Sequence, residues 1–274
     1  MSKEDNNAEG TGIKERTIET RKGIKSRLLE TGSGHPLVYF HGAGGLYEDE
    51  PLLDALGVNF HVLAPEWPGY GEQETEEQIE DMLDFALHGW DVVEALDLAS
   101  PPHLLGHSMG GMIAAEMACL NPRGLDRLVL ISAAGLWIDE HPIPDLFAML
   151  PFQLAQTLFR DPRDGEKFLT KGLDFSDMNA LQEFMVRNAR QMGTAGKILF
   201  PIPNRRVSKR LYRQIAPTLV VWGTQDNFIP PLYAERWREL LPDAQVALID
   251  DAGHMVPYEQ TEAVRRAVTD FLER

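Results

Sequence analysis

The stretch Gly106-His107-Ser108-Met109-Gly110-Gly111 carries the strongest fold signal in the chain. The run from His103 to Gly106 before it predicts a short strand, and the Met- and Ala-rich run from Ser108 to Leu120 predicts a helix. A Gly-x-Ser-x-Gly pattern between a strand and a helix is typical of a tight, strained turn that presents the serine hydroxyl at the carboxyl end of the strand. Glycine is expected two residues before and two after the serine, because a β-carbon at either position would clash with the closely packed turn.

Segments on either side of this turn alternate between strand and helix patterns. Predicted strands cover a hairpin within 16–30 and short apolar runs at 37–40, 60–64, 128–132, 219–222 and 246–249. Apolar spacings of three and four predict a helix within 75–98, and further helices fit 231–241 and 258–272. This alternation predicts an α/β fold with a mostly parallel sheet and helices on both faces.

Residues 137–205 interrupt the alternation with helical patterns and no strand pattern, and six prolines break them. We interpret this segment, called the cap segment below, as a helical cap inserted into the α/β domain. The predicted core domain then comprises residues 16–136 and 206–274, and residues 1–15 are predicted to form a flexible N-terminal tail.

Phenylalanine is concentrated in the cap segment, which holds seven of the twelve phenylalanines. Because most small-molecule sites have apolar walls, we expect several of its large side chains to bind substrate. These candidates are Trp137, Phe147, Phe152, Phe159, Phe184 and Met185. For each of them taken singly, the alternative is packing within the cap's own core. Arg187 and Arg190 lie one helical turn apart and are either anchors for a substrate carboxylate or solvated side chains.

Composition limits the class of protein and of partner. The chain has 274 residues and a formal net charge of −16, which disfavours contact with nucleic acid or an anionic membrane surface. Its single cysteine, Cys119, allows no intrachain disulfide. The polar N-terminus resembles no signal peptide, and no apolar run approaches about 18 residues, so a cytoplasmic location is expected. No metal-ligand cluster, phosphate-binding loop or dinucleotide fingerprint stands out, so we expect no cofactor and no metal. The sequence leaves the oligomeric state open.

Five motifs occur in an order that resembles the α/β-hydrolase family, specifically its capped serine esterase branch. They are His41-Gly42 after a strand, Pro68-Gly69-Tyr70-Gly71, the turn around Ser108, Gly223-x-x-Asp226-x-x-x-Pro230 and Gly253-His254. The resemblance extends from about residue 16 to residue 272 and implies a nucleophilic role for Ser108. Two positions depart from common family patterns: Glu66 stands where many relatives have Asp, and Thr261 where many have Pro. We interpret residue 66 as a position that caps or orders its loop.

A serine hydroxyl needs a base to take its proton, and histidine suits that task at neutral pH. Among eight histidines, His254 follows the predicted strand 246–249, so its loop leaves the same edge of the sheet as Ser108. It also matches the family's Gly-His motif. His107 is interpreted as a packing residue, and His41 as a residue that orders its own loop.

The acid that orients the imidazole is expected at the same edge. Asp226 follows the predicted strand 219–222 and matches the family's acid position, and the order Ser-Asp-His along the chain agrees with the family. The rival carboxylates are Asp139, Asp250 and Asp251.

Acyl transfer places negative charge on the former carbonyl oxygen, which two backbone N–H groups usually stabilise. The N–H of Met109 is one expected donor, because Met109 follows the nucleophile. The second donor is expected in the glycine-rich loop 41–45, where the family placement favours Ala43. Gly42 and Gly44 stay open as contributors.

These features predict hydrolysis of carboxylic esters of small to medium, apolar substrates through an acyl-enzyme intermediate, with a small-molecule ester as the substrate and no nucleic-acid or membrane partner. One alternative is a carbon–carbon bond hydrolase of the same fold, which uses the same three residue types. Another alternative, from a different class, is a ligand-binding receptor with slow hydrolysis. A serine at position 108 argues against haloalkane dehalogenases and epoxide hydrolases, which need Asp as the nucleophile.

Overall fold

The structure, a computed structural model, describes residues 12–47, 50–73, 76–170, 173–174, 176–200 and 207–274. Within these ranges eight strands form one sheet in the order β1-β2-β4-β3-β5-β6-β7-β8. The strands are β1 (Lys14–Glu19), β2 (Lys25–Thr31), β3 (Pro36–Phe40), β4 (His61–Pro65), β5 (His103–His107), β6 (Leu128–Ile131), β7 (Thr218–Gly223) and β8 (Ala244–Ile249).

The sheet is mostly parallel, as the alternation of strands and helices predicts. β1 pairs with β2, and β2 with β4, in antiparallel fashion, whereas the strands from β4 to β8 along the sheet pair in parallel. β3, β5, β6 and β7 are buried along their whole length. Their apolar character on both faces follows from this position, because helices cover the sheet on both sides.

Helices lie on both faces of the sheet and form two apolar cores with it. On one face the core includes residues of α2 (Met82–Ala95), α3 (Met109–Leu120) and α7 (Leu232–Leu240). On the other face it includes residues of α1 (Pro51–Gly57), α8 (Val256–Glu259) and α9 (Thr261–Leu272). Neighbouring side chains of β3 alternate between the two cores, with Val38 and Phe40 in the first and Leu37 and Tyr39 in the second.

Two predicted helices differ from the structure at their ends. The predicted helix within 75–98 begins only at Met82, because the Asp81 carboxylate accepts hydrogen bonds from the N–H groups of Leu83 and Asp84 and so caps the helix. The predicted helix 258–272 is divided into α8 and α9 at Gln260, whose backbone is non-helical.

The cap segment contains a 3₁₀ turn (Leu146–Ala148) and the helices α4 (Pro151–Leu158), α5 (Pro162–Thr170) and α6 (Met178–Leu199), and its described residues form no strand. Two basic side chains of α6 bind backbone carbonyls of the segment between β4 and α2. Arg190 Nη2 donates to Gly71 O, and Lys197 Nζ donates to Glu76 O at 3.1 Å and to Ile79 O at 2.7 Å. These bonds fix α6 beside the loop that follows β4.

Residues 14 and 15, which the sequence assigns to an N-terminal tail, belong to β1 in the structure. Lys14 and Glu15 pair with Glu30 and Leu29 of β2, so β1 starts two residues before the predicted hairpin. Residues 1–11 lie outside the described residues. None of the described helices combines the length and the apolar character needed to cross a bilayer.

Candidate active site

Ser108 lies in a strained turn between β5 and α3. Its backbone angles are φ 52° and ψ −113°, a conformation that residues with a β-carbon rarely adopt. The N–H of Ser108 donates to Ile131 O at 2.9 Å, and its carbonyl accepts from Ala134 N at 3.1 Å. The backbone of the neighbouring strand β6 and of the segment after it therefore holds the strained residue in place.

The two glycines that flank this turn are enforced by close backbone contacts. A β-carbon on Gly106 would lie 2.3 Å from Gly110 O, and a β-carbon on Gly110 would lie 2.0 Å from Phe40 O. Both distances are far below a van der Waals contact. Glycine is thus required at both positions for the steric reason that the sequence motif indicates.

Three side chains form a continuous hydrogen-bonded chain at the carboxyl edge of the sheet. His254 Nε2 lies 2.9 Å from Ser108 Oγ, and His254 Nδ1 lies 2.9 Å from Asp226 Oδ2. All three residues are buried. The loops after β5, β7 and β8 bring them together, although 146 positions separate Ser108 from His254.

The Asp226 carboxylate is held by its own loop. Its Oδ1 accepts hydrogen bonds from Phe228 N at 2.9 Å and from Ile229 N at 2.8 Å, which leaves Oδ2 for His254. Backbone donors fix the rotamer of the carboxylate and compensate its burial. With Oδ2 accepting from Nδ1, the Nε2 of His254 is left free to accept the serine proton.

His107 contacts the backbone of the His254 loop. Its Nε2 lies 3.0 Å from His254 O, and because a carbonyl only accepts, this nitrogen carries the proton. Burial and, to a smaller extent, the nearby His254 lower the pKa of His107 to about 3, so the ring is neutral at neutral pH. His107 therefore supports the His254 loop without placing a positive charge beside it.

The glycine-rich loop 41–45 is ordered by His41. The ring donates from Nδ1 to Gly42 O at 2.8 Å and accepts at Nε2 from Trp67 N at 3.1 Å. Burial lowers the pKa of His41 to about 4, which keeps the ring neutral, and the two hydrogen bonds fix its tautomer. Gly45 N closes the loop by donating to Gly42 O at 3.1 Å.

The two predicted oxyanion donors come from the residue after Ser108 and from the glycine-rich loop 41–45. Met109 is the first residue of α3, where backbone N–H groups have no partner within the helix, and its side chain is fully buried. Ala43 lines the cavity that Ser108 also lines, as do Gly42 and Gly44. A β-carbon on Gly42 would lie 3.4 Å from Ser108 Cβ, so the loop passes directly beside the serine.

Ser108 and His254 open onto a cavity of about 1150 Å³. Much of its wall is apolar and comes from the core and the cap segment, including Met112, Leu146, Leu158, Met192 and Phe228. Another part of the wall is polar and comes from the β1–β2 hairpin and the loop after β4, including Glu15, Lys25, Arg27, Glu66 and Gln73. The cavity thus offers both apolar surface and charged groups to a ligand.

Two of the six predicted substrate-binding residues of the cap segment lie at the cavity, and four do not. Phe147 and Phe184 line the cavity. The other four are absent from its lining. Phe152 and Met185 face solvent, with 51% and 62% of their surface exposed.

The remaining two are held by contacts away from the cavity. Phe159 is buried against Phe168, with ring centroids 5.2 Å apart, and thus belongs to the packing inside the cap segment. Trp137 donates from Nε1 to Asp139 Oδ1 at 2.9 Å and packs against the main core.

Other candidates from the sequence are also placed by their contacts. Arg187 lines the cavity, whereas Arg190 is bonded to the carbonyl of Gly71. Of the rival carboxylates, Asp139 accepts from Trp137, and Asp250 and Asp251 are exposed. Among the described residues, none of the three is hydrogen-bonded to His254. The Nδ1 of His254 is bonded to Asp226 Oδ2 instead.

Glu66, which the sequence indicates as a loop-ordering residue, also borders the cavity of the candidate site. It lines the cavity, and its side chain is almost completely buried, with Arg27 Nη1 3.7 Å from Oε1. Burial raises the pKa of Glu66 to about 7, although the Arg27 guanidinium favours the charged form. Arg27 comes from the β1–β2 hairpin, which reaches the site through the antiparallel pairing of β2 with β4. Nothing in the sequence of the hairpin indicates this position.

Glu259 was also missed by sequence reasoning. One of its carboxylate oxygens accepts from Gly253 N at 2.8 Å and the other from Arg160 N at 2.7 Å. It therefore joins the His254 loop to the cap segment. In the sequence, the available indication was a carboxylate five residues after His254. Its two backbone partners are visible only in the structure.

Comparison with known proteins agrees with this architecture. The family model for the alpha/beta hydrolase fold matches residues 35–261. A curated relative, Lipase 3 of Moraxella sp. (strain TA144), is 28% identical over 248 residues, covering 87% of this chain and 76% of the lipase. Another, the 2-hydroxy-6-oxo-6-(2'-aminophenyl)hexa-2,4-dienoic acid hydrolase of Metapseudomonas resinovorans, is 26% identical over 268 residues, covering 92% of this chain and 89% of the relative.

A solved structure shows the same fold. The crystal structure of an esterase from Rhodococcus sp. ECU1013 superposes with a TM-score of 0.71 at 20% identity, covering 94% of this chain and 98% of the esterase. The family model spans most of the chain and includes the turn at Ser108 and the loops of Asp226 and His254. The chain therefore belongs to the alpha/beta hydrolase fold family.

Proposed function

We propose that this protein hydrolyses carboxylic esters through an acyl-enzyme intermediate on Ser108. The observation that carries the proposal is the hydrogen-bonded chain Ser108 Oγ to His254 Nε2 and His254 Nδ1 to Asp226 Oδ2, both at 2.9 Å. A serine, a base and an orienting acid in this arrangement activate an otherwise weak nucleophile. Relatives named as lipases and an esterase are consistent with ester bonds.

In the first half of the reaction, Ser108 Oγ attacks the ester carbonyl carbon while His254 Nε2 takes the hydroxyl proton. The carbonyl oxygen becomes an oxyanion, which the N–H groups of Met109 and Ala43 stabilise. Asp226 stabilises the imidazolium that forms. The tetrahedral intermediate then collapses: the bond to the alcohol oxygen breaks, and His254 returns its proton to the leaving alcohol.

In the second half, a water molecule attacks the acyl carbon of the serine ester while His254 takes one of its protons. The second tetrahedral intermediate expels Ser108 Oγ, which receives that proton, and the carboxylic acid leaves. Water adds one hydroxyl to the acid and one hydrogen to the alcohol overall, so the reaction needs no other reactant.

The substrate proposed for this site is a small to medium ester with an apolar group. Support comes from the apolar part of the cavity wall, to which Phe147 and Phe184 contribute from the cap segment. The flexible side chains of Met112 and Met192 in the same wall also adapt to ligands of different shape. Apolar acyl or alcohol groups would lose contact with water on these surfaces, which favours their binding.

A series of p-nitrophenyl esters with increasing acyl length tests the proposal. We expect turnover by the wild-type protein and a decrease of about 10⁵–10⁶-fold in kcat for Ser108→Ala. Ser176→Ala, at an exposed serine of the cap segment, is the matched control and should keep the wild-type rate. An unchanged rate for Ser108→Ala would refute the assignment of the nucleophile.

A second candidate function is hydrolysis of a carbon–carbon bond in a dienoic acid. The observation that favours it is Arg187, which lines the cavity and offers a cation to a substrate carboxylate. A relative named as a dienoic acid hydrolase points the same way. Turnover of a ring-cleavage dienoate that exceeds turnover of every ester, and that is lost in Arg187→Gln, would replace the ester assignment by this one.

A further inference from the structure

Three polar side chains lie together at the amino-terminal edge of the sheet, away from the candidate active site. His35 directly precedes β3, His103 is the first residue of β5, and Asp126 lies two residues before β6. These strands are neighbours in the sheet, so their starting residues meet at one edge. Ser108 follows the other end of β5, about 15 Å away at the usual rise of a strand.

The three side chains point their ligand-type atoms at one another. Asp126 Oδ2 lies 3.5 Å from His103 Nδ1 and 3.9 Å from His35 Nε2, and all three atoms lie within 4.8 Å of one another. The two imidazole rings are close, with centroids 4.2 Å apart. Long stretches of chain separate the three residues, which is why the sequence predicted no metal-ligand cluster.

The two imidazole nitrogens that face Asp126 form no hydrogen bond in this arrangement. His103 is 3% exposed, and both His103 Nδ1 and His35 Nε2 are buried atoms without a hydrogen-bond partner among the described residues. A buried polar atom without a partner costs free energy, and its occurrence calls for an explanation. A ligand placed among the three atoms would satisfy both nitrogens at once.

The residue types of the cluster suit a divalent metal cation, since two imidazole nitrogens and one carboxylate oxygen lie together. A neutral imidazole and a carboxylate are ligands that Zn²⁺ prefers. The distances from Asp126 Oδ2 to the two imidazole nitrogens, 3.5 Å and 3.9 Å, are only slightly larger than the roughly 3.3 Å between ligand atoms of a tetrahedral zinc site.

Backbone hydrogen bonds fix the chain at or next to each of the three residues. His61 N donates to His35 O at 3.1 Å, Leu104 N to Arg127 O at 2.9 Å, and Asp126 N to Pro102 O at 3.0 Å. The side chains of His35 and Asp126 are 36% and 52% exposed, so they are free to rotate by the small amount that coordination requires. Their exposure also gives water access to the remaining coordination position.

We propose that His35, His103 and Asp126 bind a divalent transition-metal ion such as Zn²⁺, with water as the fourth ligand. The ion joins the starts of three neighbouring strands and stabilises the fold. It takes no part in the chemistry at Ser108, so the proposal is independent of the proposed function.

Metal binding to the whole chain, freed of any affinity tag and of bound metal, tests the proposal. Titration with Co²⁺ should give visible absorption bands of a tetrahedral complex that saturate at one equivalent, and Zn²⁺ should displace them. At a Zn²⁺ concentration 100-fold above Kd, we expect Tm to rise by about 5 °C, and a chelator should reverse the rise.

Variants identify the ligands. His35→Gln and Asp126→Asn change partly exposed side chains and should each weaken Co²⁺ binding by at least about 10-fold. His141→Gln, at an exposed histidine outside the cluster, is the matched control and should bind as the wild type does. The absence of saturable binding, or binding by both ligand variants with wild-type affinity, would overturn the proposal.

Discussion

The Glu259 carboxylate accepts a hydrogen bond from the backbone N–H of Gly253, at 2.8 Å, and thereby fixes the residue that precedes His254. Its other oxygen accepts from Arg160 N, which lies between α4 and α5 in the cap segment. A second bond between the same two segments runs from Met255 N to Leu158 O at 3.1 Å. The position of the proposed catalytic histidine is thus tied to the position of the cap segment.

Glu259→Gln should therefore lower catalysis without removing any reacting group. The amide keeps one oxygen acceptor but places an NH₂ group against the second backbone N–H, so one of the two bonds is lost. A hydrogen bond to a charged group contributes about 1.5–3 kcal/mol, and we expect both a lower Tm and a lower kcat. Glu262→Gln, an exposed carboxylate on α9, is the control for the change of charge, and an equal effect of both variants would contradict the structural argument.

Asp226→Asn should leave the fold intact but decrease kcat by about 10⁴-fold. The Asn oxygen can still accept from Phe228 N and Ile229 N, whereas its NH₂ group would face His254 Nδ1. His254 would then accept at Nδ1 and carry its proton on Nε2, the tautomer that cannot take the proton of Ser108.

Steady-state rates of Asp226→Asn and Asp139→Asn on the same ester provide the measurement. Asp139 is an exposed carboxylate that contacts Trp137 and not His254, so its variant should retain wild-type activity. A larger loss in Asp139→Asn than in Asp226→Asn would show that the acid has been misassigned.

Two Gly→Ala changes should shift stability in opposite directions. The new β-carbon in Gly110→Ala would lie 2.0 Å from Phe40 O, so the backbone must move, and we expect a loss of about 3 kcal/mol or more. Gly193 lies within α6, and a β-carbon there meets nothing within 4 Å. Gly193→Ala should therefore stabilise the protein by about 0.5–1 kcal/mol. Denaturant unfolding of both variants measures the difference, and destabilisation by Gly193→Ala would contradict the packing of α6.

Glu66 should make the protein less stable as the pH rises. Burial raises its pKa from the ordinary value of 4.5 to about 7 in the folded state. Between these two pH values the folded protein binds more protons than the unfolded chain, so the free energy of unfolding falls as pH rises and reaches its lower level above about pH 7. A pKa difference of this size corresponds to about 3 kcal/mol.

Glu66→Gln removes this titration. Relative to the wild type, the variant should gain stability progressively between about pH 4.5 and pH 7, as measured by urea unfolding at each pH. Glu72→Gln, an exposed carboxylate in the same loop, is the control and should follow the wild type. A difference between Glu66→Gln and wild type that does not change with pH would show that Glu66 is not protonated in the folded protein.

Much of the site was accessible from the sequence because each part leaves a local mark. Gly106 and Gly110 are needed because neighbouring backbone atoms leave no room for a β-carbon at either position. The strand pattern before Ser108 and the helix pattern after it locate the turn in the sequence. Asp226 and His254 each follow a predicted strand, and the carboxyl ends of parallel strands meet at one edge of a sheet. Strand order was therefore not needed to predict that these residues lie together.

The cap segment was less predictable, since composition does not state which way a side chain points. Phe147 and Phe152 both belong to an apolar helical pattern, yet the first lines the cavity and the second is half exposed. Local spacing defines a helix face, but only the tertiary packing of the cap segment decides which face borders the cavity.

The sequence by itself determined the α/β fold, the strained turn at Ser108 and the candidates for base and acid, because these depend on local periodicity and on glycine at fixed positions. Only the tertiary structure decided the roles of Glu66, Arg27 and Glu259 and the meeting of His35, His103 and Asp126. Those contacts join residues far apart in the chain, and their geometry depends on the order in which strands pair. That order results from packing of the whole sheet, so no single stretch of sequence records it.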